Sequence, residues 1–216
     1  MRLALALSCL LLAACEPTMP ADTTPARMKV PVGSAPVLGP ADAWVTVVVF
    51  ADLECPHCAA EHPVLLELAR LQPADVRLVW KHFPLPAGPH SRSAAIATEC
   101  ARAQGRFWEM ADLVFQHRSA LLPANLASYA LQAGCSEADY SACIAGTAAA
   151  AAVNADRAQG LVLGVQGTPT VVVNGQVFVG AHDLATLRAA VEAARAAAIA
   201  SGVPRADYYD RVVLGP

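Results

Sequence analysis

The apolar run that opens this sequence is too short to cross a membrane. Residues 3–12 number ten, about 15 Å of helix at ~1.5 Å per residue, against a hydrocarbon core of ~30 Å. Positive charge is not in excess either. Fifteen Lys and Arg face 18 Asp and Glu, a formal net charge of −3, so neither nucleic acid nor an acidic lipid surface is implied as a partner. There is no second C-x-x-C beside Cys55 and Cys58, and no H-x-x-x-H. A tetrahedral structural zinc site would want that second pair of ligands. No internal repeat is present, which excludes repeat architectures.

What is present centres on Phe50-Ala51-Asp52-Leu53-Glu54-Cys55-Pro56-His57-Cys58. Residues 45–50 are apolar and mostly β-branched, the pattern of a buried strand. Pro56 suits the first turn of a helix, where its missing N–H would have no partner. From there to about Leu71 the apolar positions Leu65, Leu66, Leu68, Ala69 and Leu71 follow helical spacing. A cysteine at the positive end of a helix is held as thiolate by the dipole and the free N–H groups. Cys58 lies one turn inside, where a disulfide back to Cys55 is easily formed. The pair reads as a two-electron switch with an outer reactive sulfur and an inner resolving one. Half of a zinc or copper site, with His57 and His62 nearby, and a purely structural disulfide remain as alternative readings.

Strand, Cys-Pro-His-Cys and helix, followed far downstream by Gly167-Thr168-Pro169-Thr170, resemble the DsbA-like thiol–disulfide oxidoreductases of the thioredoxin superfamily. The spacing of Phe50, Asp52, Cys55, Pro56 and Cys58 is similar to the branch with an F-x-D-x-x-C-P-x-C signature. The resemblance runs from about Val30 to about Ala200. It implies an α/β thioredoxin fold with an inserted helical domain, no cofactor and no bound metal. It also implies a cis bond before Pro169, placing Thr168 beside Cys55 so that its backbone can pair with a bound substrate strand. Pro56-His57 is the dipeptide that the resemblance associates with oxidants. One position departs from the family: the buried acid expected six residues before the nucleophile is Val49 here. Asp52 and Glu54 lie nearer the cysteines, as proton relays or as turn residues facing water.

The N-terminus reads as a signal peptide over 1–14. Leu12-Ala13-Ala14-Cys15 resembles a bacterial lipobox, with Cys15 as the lipidated residue, and Glu16 in place of an aspartate leans toward the outer membrane. Removal of 1–14 takes away Cys9 and Arg2. Residues 15–40 are rich in Pro and small residues and read as a tether, with room for an edge strand near 28–32. The domain then occupies 41–200, and 201–216 is a tail with no functional reading.

Within the domain, 76–83 reads as a second strand, with Val76, Leu78 and Trp80 alternating against Arg77 and Lys81. A strand, helix and strand make a right-handed crossover with parallel strands. Pro84, Pro86, Gly88 and Pro89 break the chain, and about 90–164 is helical, similar to the insert of DsbA-like proteins that roofs the active site. Residues 170–173 and 176–179 flank Asn174-Gly175 as a hairpin. Asp183 caps a last helix to about Ala200.

The site expected is Cys55 as nucleophile, Cys58 as resolving thiol, Pro56 and His57 as the helix start, with the His57 ring stabilising the thiolate. Thr168 and Pro169 complete it. Cys135 and Cys143 would stand about 12 Å apart along one helix, beyond disulfide reach; a Cys100–Cys143 bridge between two helices is the working expectation, leaving Cys135 free or mispaired. His62, His82, His90, His117 and His182 do not cluster and read as surface, turn or cap residues. The reading is a lipid-anchored, extracytoplasmic and monomeric dithiol oxidase. It would introduce disulfides into reduced secreted proteins and be reoxidised by a quinone-linked membrane partner. A reductase or isomerase fed by a membrane thiol donor is the alternative within the fold, and a copper-handling lipoprotein the one outside it.

Overall fold

A computed structural model describes residues 27–215. The expected signal peptide over 1–14 and the expected lipobox with Cys15 lie outside the described residues. Among the described residues there are five strands: β1 (Val37–Leu38), β2 (Val45–Ala51), β3 (Val76–His82), β4 (Thr170–Val173) and β5 (Gln176–Val179). They form one sheet in the order β1-β3-β2-β4-β5. β2 and β3 are parallel, joined across α1 (Pro56–Leu71), while β4 runs antiparallel to β2 and β5 antiparallel to β4. Every residue of β2 is buried, as its unbroken apolar run requires of a central strand covered on both faces.

Alternation along β2 divides the core in two. Val45, Val47, Val49 and Ala51 face α1 and α7 (Leu184–Ala200), meeting Leu65 and Leu68 of the first helix and Leu187 and Val191 of the second. Val48 and Phe50 face the other way, against Val79, Phe83, Val165, Val172 and Val30. The helical insert comprises α2 (Ser91–Arg102), α3 (Phe107–Gln116), α4 (Pro123–Gln132), α5 (Glu137–Ala145) and α6 (Ala148–Val162). Ser136 caps α5 by accepting the Asp139 N–H, and Asp183 caps α7 by accepting the Thr186 N–H. Cys100 of α2 is joined to Cys143 of α5 by a disulfide, and Cys135 is free and buried.

Three expectations are corrected. The stretch 28–32 forms no strand, and its second half is not tether. Val30 is fully buried in the core behind β2, the Met28 N–H bonds the Gly175 carbonyl, and the edge strand is β1 instead, with Val37 opposite Val79. The physical reason is the face formed by Val48, Phe50, Val79 and Val172, which would otherwise lie open to water. The C-terminal segment helps to cover the same region. α8 (Arg205–Tyr208) and the π-helical turn Tyr209–Leu214 bury Tyr208 and Tyr209. The Tyr209 hydroxyl donates to the Val30 carbonyl at 2.8 Å. Lys81, expected on a polar face, is buried and paired with Asp156 of α6 at 3.2 Å.

Candidate active site

β2 ends at Ala51, and the chain turns through Asp52, Leu53 and Glu54 before α1 begins. Cys55 occupies the cap position of α1 with extended backbone (φ −71°, ψ 126°) and Pro56 follows at the first helical position. This places the Cys55 sulfur against the free N–H groups of the first turn. Cys55 is half-buried and Cys58 is buried, both as free thiols. The Thr168–Pro169 peptide is cis, and the Cys55 sulfur stands 3.5 Å from the Thr168 carbonyl oxygen, to which it donates when protonated. Two loops more than a hundred residues apart in sequence thus meet at one sulfur.

The two sulfurs titrate in opposite directions. Hydrogen bonding from the Cys58 thiol, partly opposed by burial, holds the Cys55 pKa down to about 5; the Cys58 N–H, Thr168 and the His57 N–H lower it further. Burial, and then the bond it gives to Cys55, push the Cys58 thiol well above its ordinary range, although the Asp52 N–H donates to its sulfur at 3.4 Å. At neutral pH the outer sulfur is a thiolate and the inner one a thiol. His57 enters this balance through its backbone; its side chain is exposed. The stabilisation expected of the ring comes from the main chain instead.

Asp52 does not face water, and Glu54 is half-buried. Asp52 is buried, and its two carboxylate oxygens accept the N–H groups of Glu54 and Leu85, each at 2.8 Å. Glu54 accepts the His90 N–H at 2.9 Å and the Ser91 hydroxyl at 3.1 Å. The two acids bind the 85–91 loop to the cysteine turn, forming a groove of about 280 Å³ beside Cys55 and Pro56. Their lone pairs serve architecture.

His62 and His82 are not surface residues. His62 is buried among Trp80, Trp108 and Phe115, with its Nε2 2.6 Å from Asp112. His82 lies 3.2 Å from Glu99 and accepts from the Trp80 indole N–H. Both are core histidines paired with carboxylates, and the buried Nδ1 of His62 has no hydrogen-bond partner among the described residues. Among the described residues, no three or more His, Cys, Asp and Glu side chains are grouped as they would be to hold a metal ion. One residue went unnoticed in the sequence: Glu61, 1 % exposed, on the helix turn after Cys58. Its signal was an acid in a segment whose neighbours are otherwise cysteine, alanine and histidine.

A thioredoxin-like fold carrying a thiolate, a buried thiol one turn away and a facing proline loop defines a thiol–disulfide oxidoreductase. The thioredoxin family model matches residues 32–193, and the chain belongs to that family. Among solved structures, a thioredoxin-like oxidoreductase from Silicibacter pomeroyi is 28 % identical with a TM-score of 0.68, covering 75 % of this chain and 92 % of that one. BdbD from Bacillus subtilis shares the fold at 23 % identity, with a TM-score of 0.72 over 79 % of this chain and 98 % of that one. Similar curated proteins include the Na(+)/H(+) antiporters NhaA 3 of Salinispora tropica and NhaA 1 of Salinispora arenicola, 39 % and 38 % identical over 75 % and 73 % of this chain. The chain spans about a quarter of their length. No described helix is long and apolar enough to cross a membrane.

Proposed function

We propose that the protein is an extracytoplasmic dithiol oxidase that donates the Cys55–Cys58 disulfide to reduced secreted proteins. The observation that carries this reading is Cys55 at the start of α1 with the buried Cys58 thiol one turn on, an arrangement that holds the Cys55 pKa down to about 5. A thiolate stabilised at working pH stabilises the reduced pair, which makes the disulfide a strong oxidant. In the cycle, a substrate thiolate attacks the Cys55 sulfur and Cys58 leaves with the bonding pair. A second substrate thiolate then attacks the mixed disulfide at the substrate sulfur, and Cys55 leaves as its low-pKa thiolate. The substrate has lost two electrons and the protein has gained them. A quinone-linked membrane partner would take them on.

Thr168 and Pro169 would hold the substrate in extended form, the Thr168 backbone pairing with it beside the reacting sulfur. The Cys100–Cys143 disulfide supports an oxidising compartment. Lipidation at Cys15, the outer-membrane location and the monomeric state belong to the same proposal. The antiport named in the curated relatives is not carried over, because this chain spans only about a quarter of them.

The deciding experiment is the reduction potential of Cys55/Cys58, by equilibration with glutathione. A value near the oxidising end, about −120 mV, is expected. A value near about −270 mV would reverse the electrons and make the protein a reductase fed by a membrane thiol donor.

A further inference from the structure

Cys58 has a proton to lose each time it closes the disulfide and a proton to regain each time it leaves. Its sulfur is buried, and the groups around it are mostly committed. Both oxygens of Asp52 hold backbone N–H groups, and Glu54 holds the start of α2. Position 49, on the strand beneath, is valine. Glu61 differs. It lies three residues after Cys58 on α1, the spacing that puts two side chains on one face with Cβ atoms roughly 5–6 Å apart. Its Oε2 accepts the His182 N–H at 2.6 Å. Its Oε1 is buried and has no hydrogen-bond partner among the described residues. A carboxylate with one oxygen anchored and the other bare in the interior has a single place for a proton.

We propose that Glu61 is the proton acceptor and donor for Cys58, acting through Oε1 across one water. This rests on the reading of Cys58 as the resolving thiol, in either direction of electron flow. When Cys58 attacks a mixed disulfide, a Cys58–Cys55 S–S bond forms and the bond from Cys55 to the substrate sulfur breaks. The bonding pair leaves on the substrate sulfur, and the Cys58 proton passes to Glu61. When substrate thiolate opens the disulfide, the pair of the broken S–S bond stays on Cys58 and Glu61 returns the proton. Burial raises the Glu61 pKa, with the His182 N–H and imidazole opposing. Of the other charged groups around it, His62, next along α1, is bound through Nε2 by Asp112 of α3 and leaves its buried Nδ1 without a partner among the described residues, and Asp183 caps α7. The anchor on His182 also ties Glu61 to the substrate loop, since the adjoining Gly180 donates its N–H to the Pro169 carbonyl.

The test uses the reduced full chain and Ellman's reagent. Cys55 releases one thionitrobenzoate as it is captured, and Cys58 releases a second as it resolves; Cys58→Ala identifies the second phase by its absence. Thionitrobenzoate leaves as a thiolate, so the second phase reads deprotonation of Cys58 without a proton needed elsewhere. In the wild type that phase should be nearly flat from about pH 6 to about pH 8, because the base is supplied by the protein. Glu61→Gln keeps the acceptor for the His182 N–H. It should slow the second phase about 10²-fold at the acid end and make it climb about tenfold per pH unit, with the first phase within about twofold of wild type. A wild-type second phase that already climbs about tenfold per pH unit overturns the assignment without any variant. So does a Glu61→Gln phase unchanged, or slowed equally at every pH, as loss of position alone would produce. If wild type shows no second phase, the role of Cys58 itself fails; if only the Glu61 dependence is missing, that role stands and Glu61 falls.

Discussion

The Cys55 sulfur stands 3.5 Å from the carbonyl oxygen of Thr168, a residue 113 positions later in the chain. The contact joins the two halves of the sheet. Cys55 follows β2, Thr168 precedes β4, and Phe50 of β2 lies directly opposite Thr170 of β4. Because the register of two central strands fixes it, the distance is set by the core and not by either loop alone.

The low pKa of Cys55 depends first on its partner sulfur. Cys58→Ala removes the hydrogen bond that contributes most, so the Cys55 pKa should rise from about 5 toward the ordinary thiol value. Cys58→Ser keeps an O–H donor at the same place and should raise it less. Thiolate ultraviolet absorbance against pH reads both. The pKa also makes stability of the reduced form depend on pH. A depressed value contributes fully above the ordinary thiol pKa of 9.0, and the contribution is lost as pH falls through about 5. The disulfide form has no thiol to titrate, so the stability gap should move toward the oxidised form as the solution is acidified. Equal values in Cys58→Ala and wild type would place the cause of the shift elsewhere.

Much of this site was legible in the sequence because each signal was local. A β-branched run, a proline at a helix start and a C-x-x-C at that start are patterns of adjacent residues, and so is the Asn-Gly turn between β4 and β5. What escaped was long-range pairing. Asp52 reads as a turn acid until Leu85 is seen donating to it. His62 and His82 read as surface residues because a lone histidine carries no mark of the carboxylate that will meet it inside. The cover supplied by Val30 and Tyr209 was hidden for the same reason, since neither segment has a period to betray a buried face. Glu61 is the case with most consequence, an acid whose meaning depends on a backbone N–H 121 residues away.

Gly160 of α6 should resist substitution even by the best helix former. A Cβ there would stand 2.7 and 2.8 Å from two carbons of the Phe83 ring and 3.1 Å from Phe50. Those rings pack edge to face with centroids 6.3 Å apart in the core behind β2, and neither has room to retreat. Alanine gains about 1 kcal/mol in helix propensity over glycine, but overpacking a filled site costs about 1–3 kcal/mol. Gly160→Ala should therefore be neutral to destabilised by about 2 kcal/mol in denaturant unfolding. A gain close to the full propensity difference would mean the interface yields freely.

Glu99 should give the fold an acid limit of its own. Its carboxyl is buried, which raises its pKa, yet His82 at 3.2 Å and Arg102 at 2.6 Å together hold it below the ordinary 4.5. The indole N–H of Trp80 donates to His82 Nδ1, so the ring proton sits on Nε2, where it donates to Glu99. For a carboxyl with a depressed pKa, the stabilising contribution is complete above the unfolded value of 4.5 and disappears as pH falls through the folded value. Glu99→Gln keeps the acceptor for His82 and removes the charge facing Arg102. At neutral pH it should lose about 1–3 kcal/mol, the usual cost of breaking a charged hydrogen bond. Below 4.5 wild type should lose that same contribution, so the two unfolding midpoints should converge on acidification. Midpoints that stay a constant distance apart through this range would show that Glu99 acts by packing alone, and that acid destabilisation begins at another carboxylate.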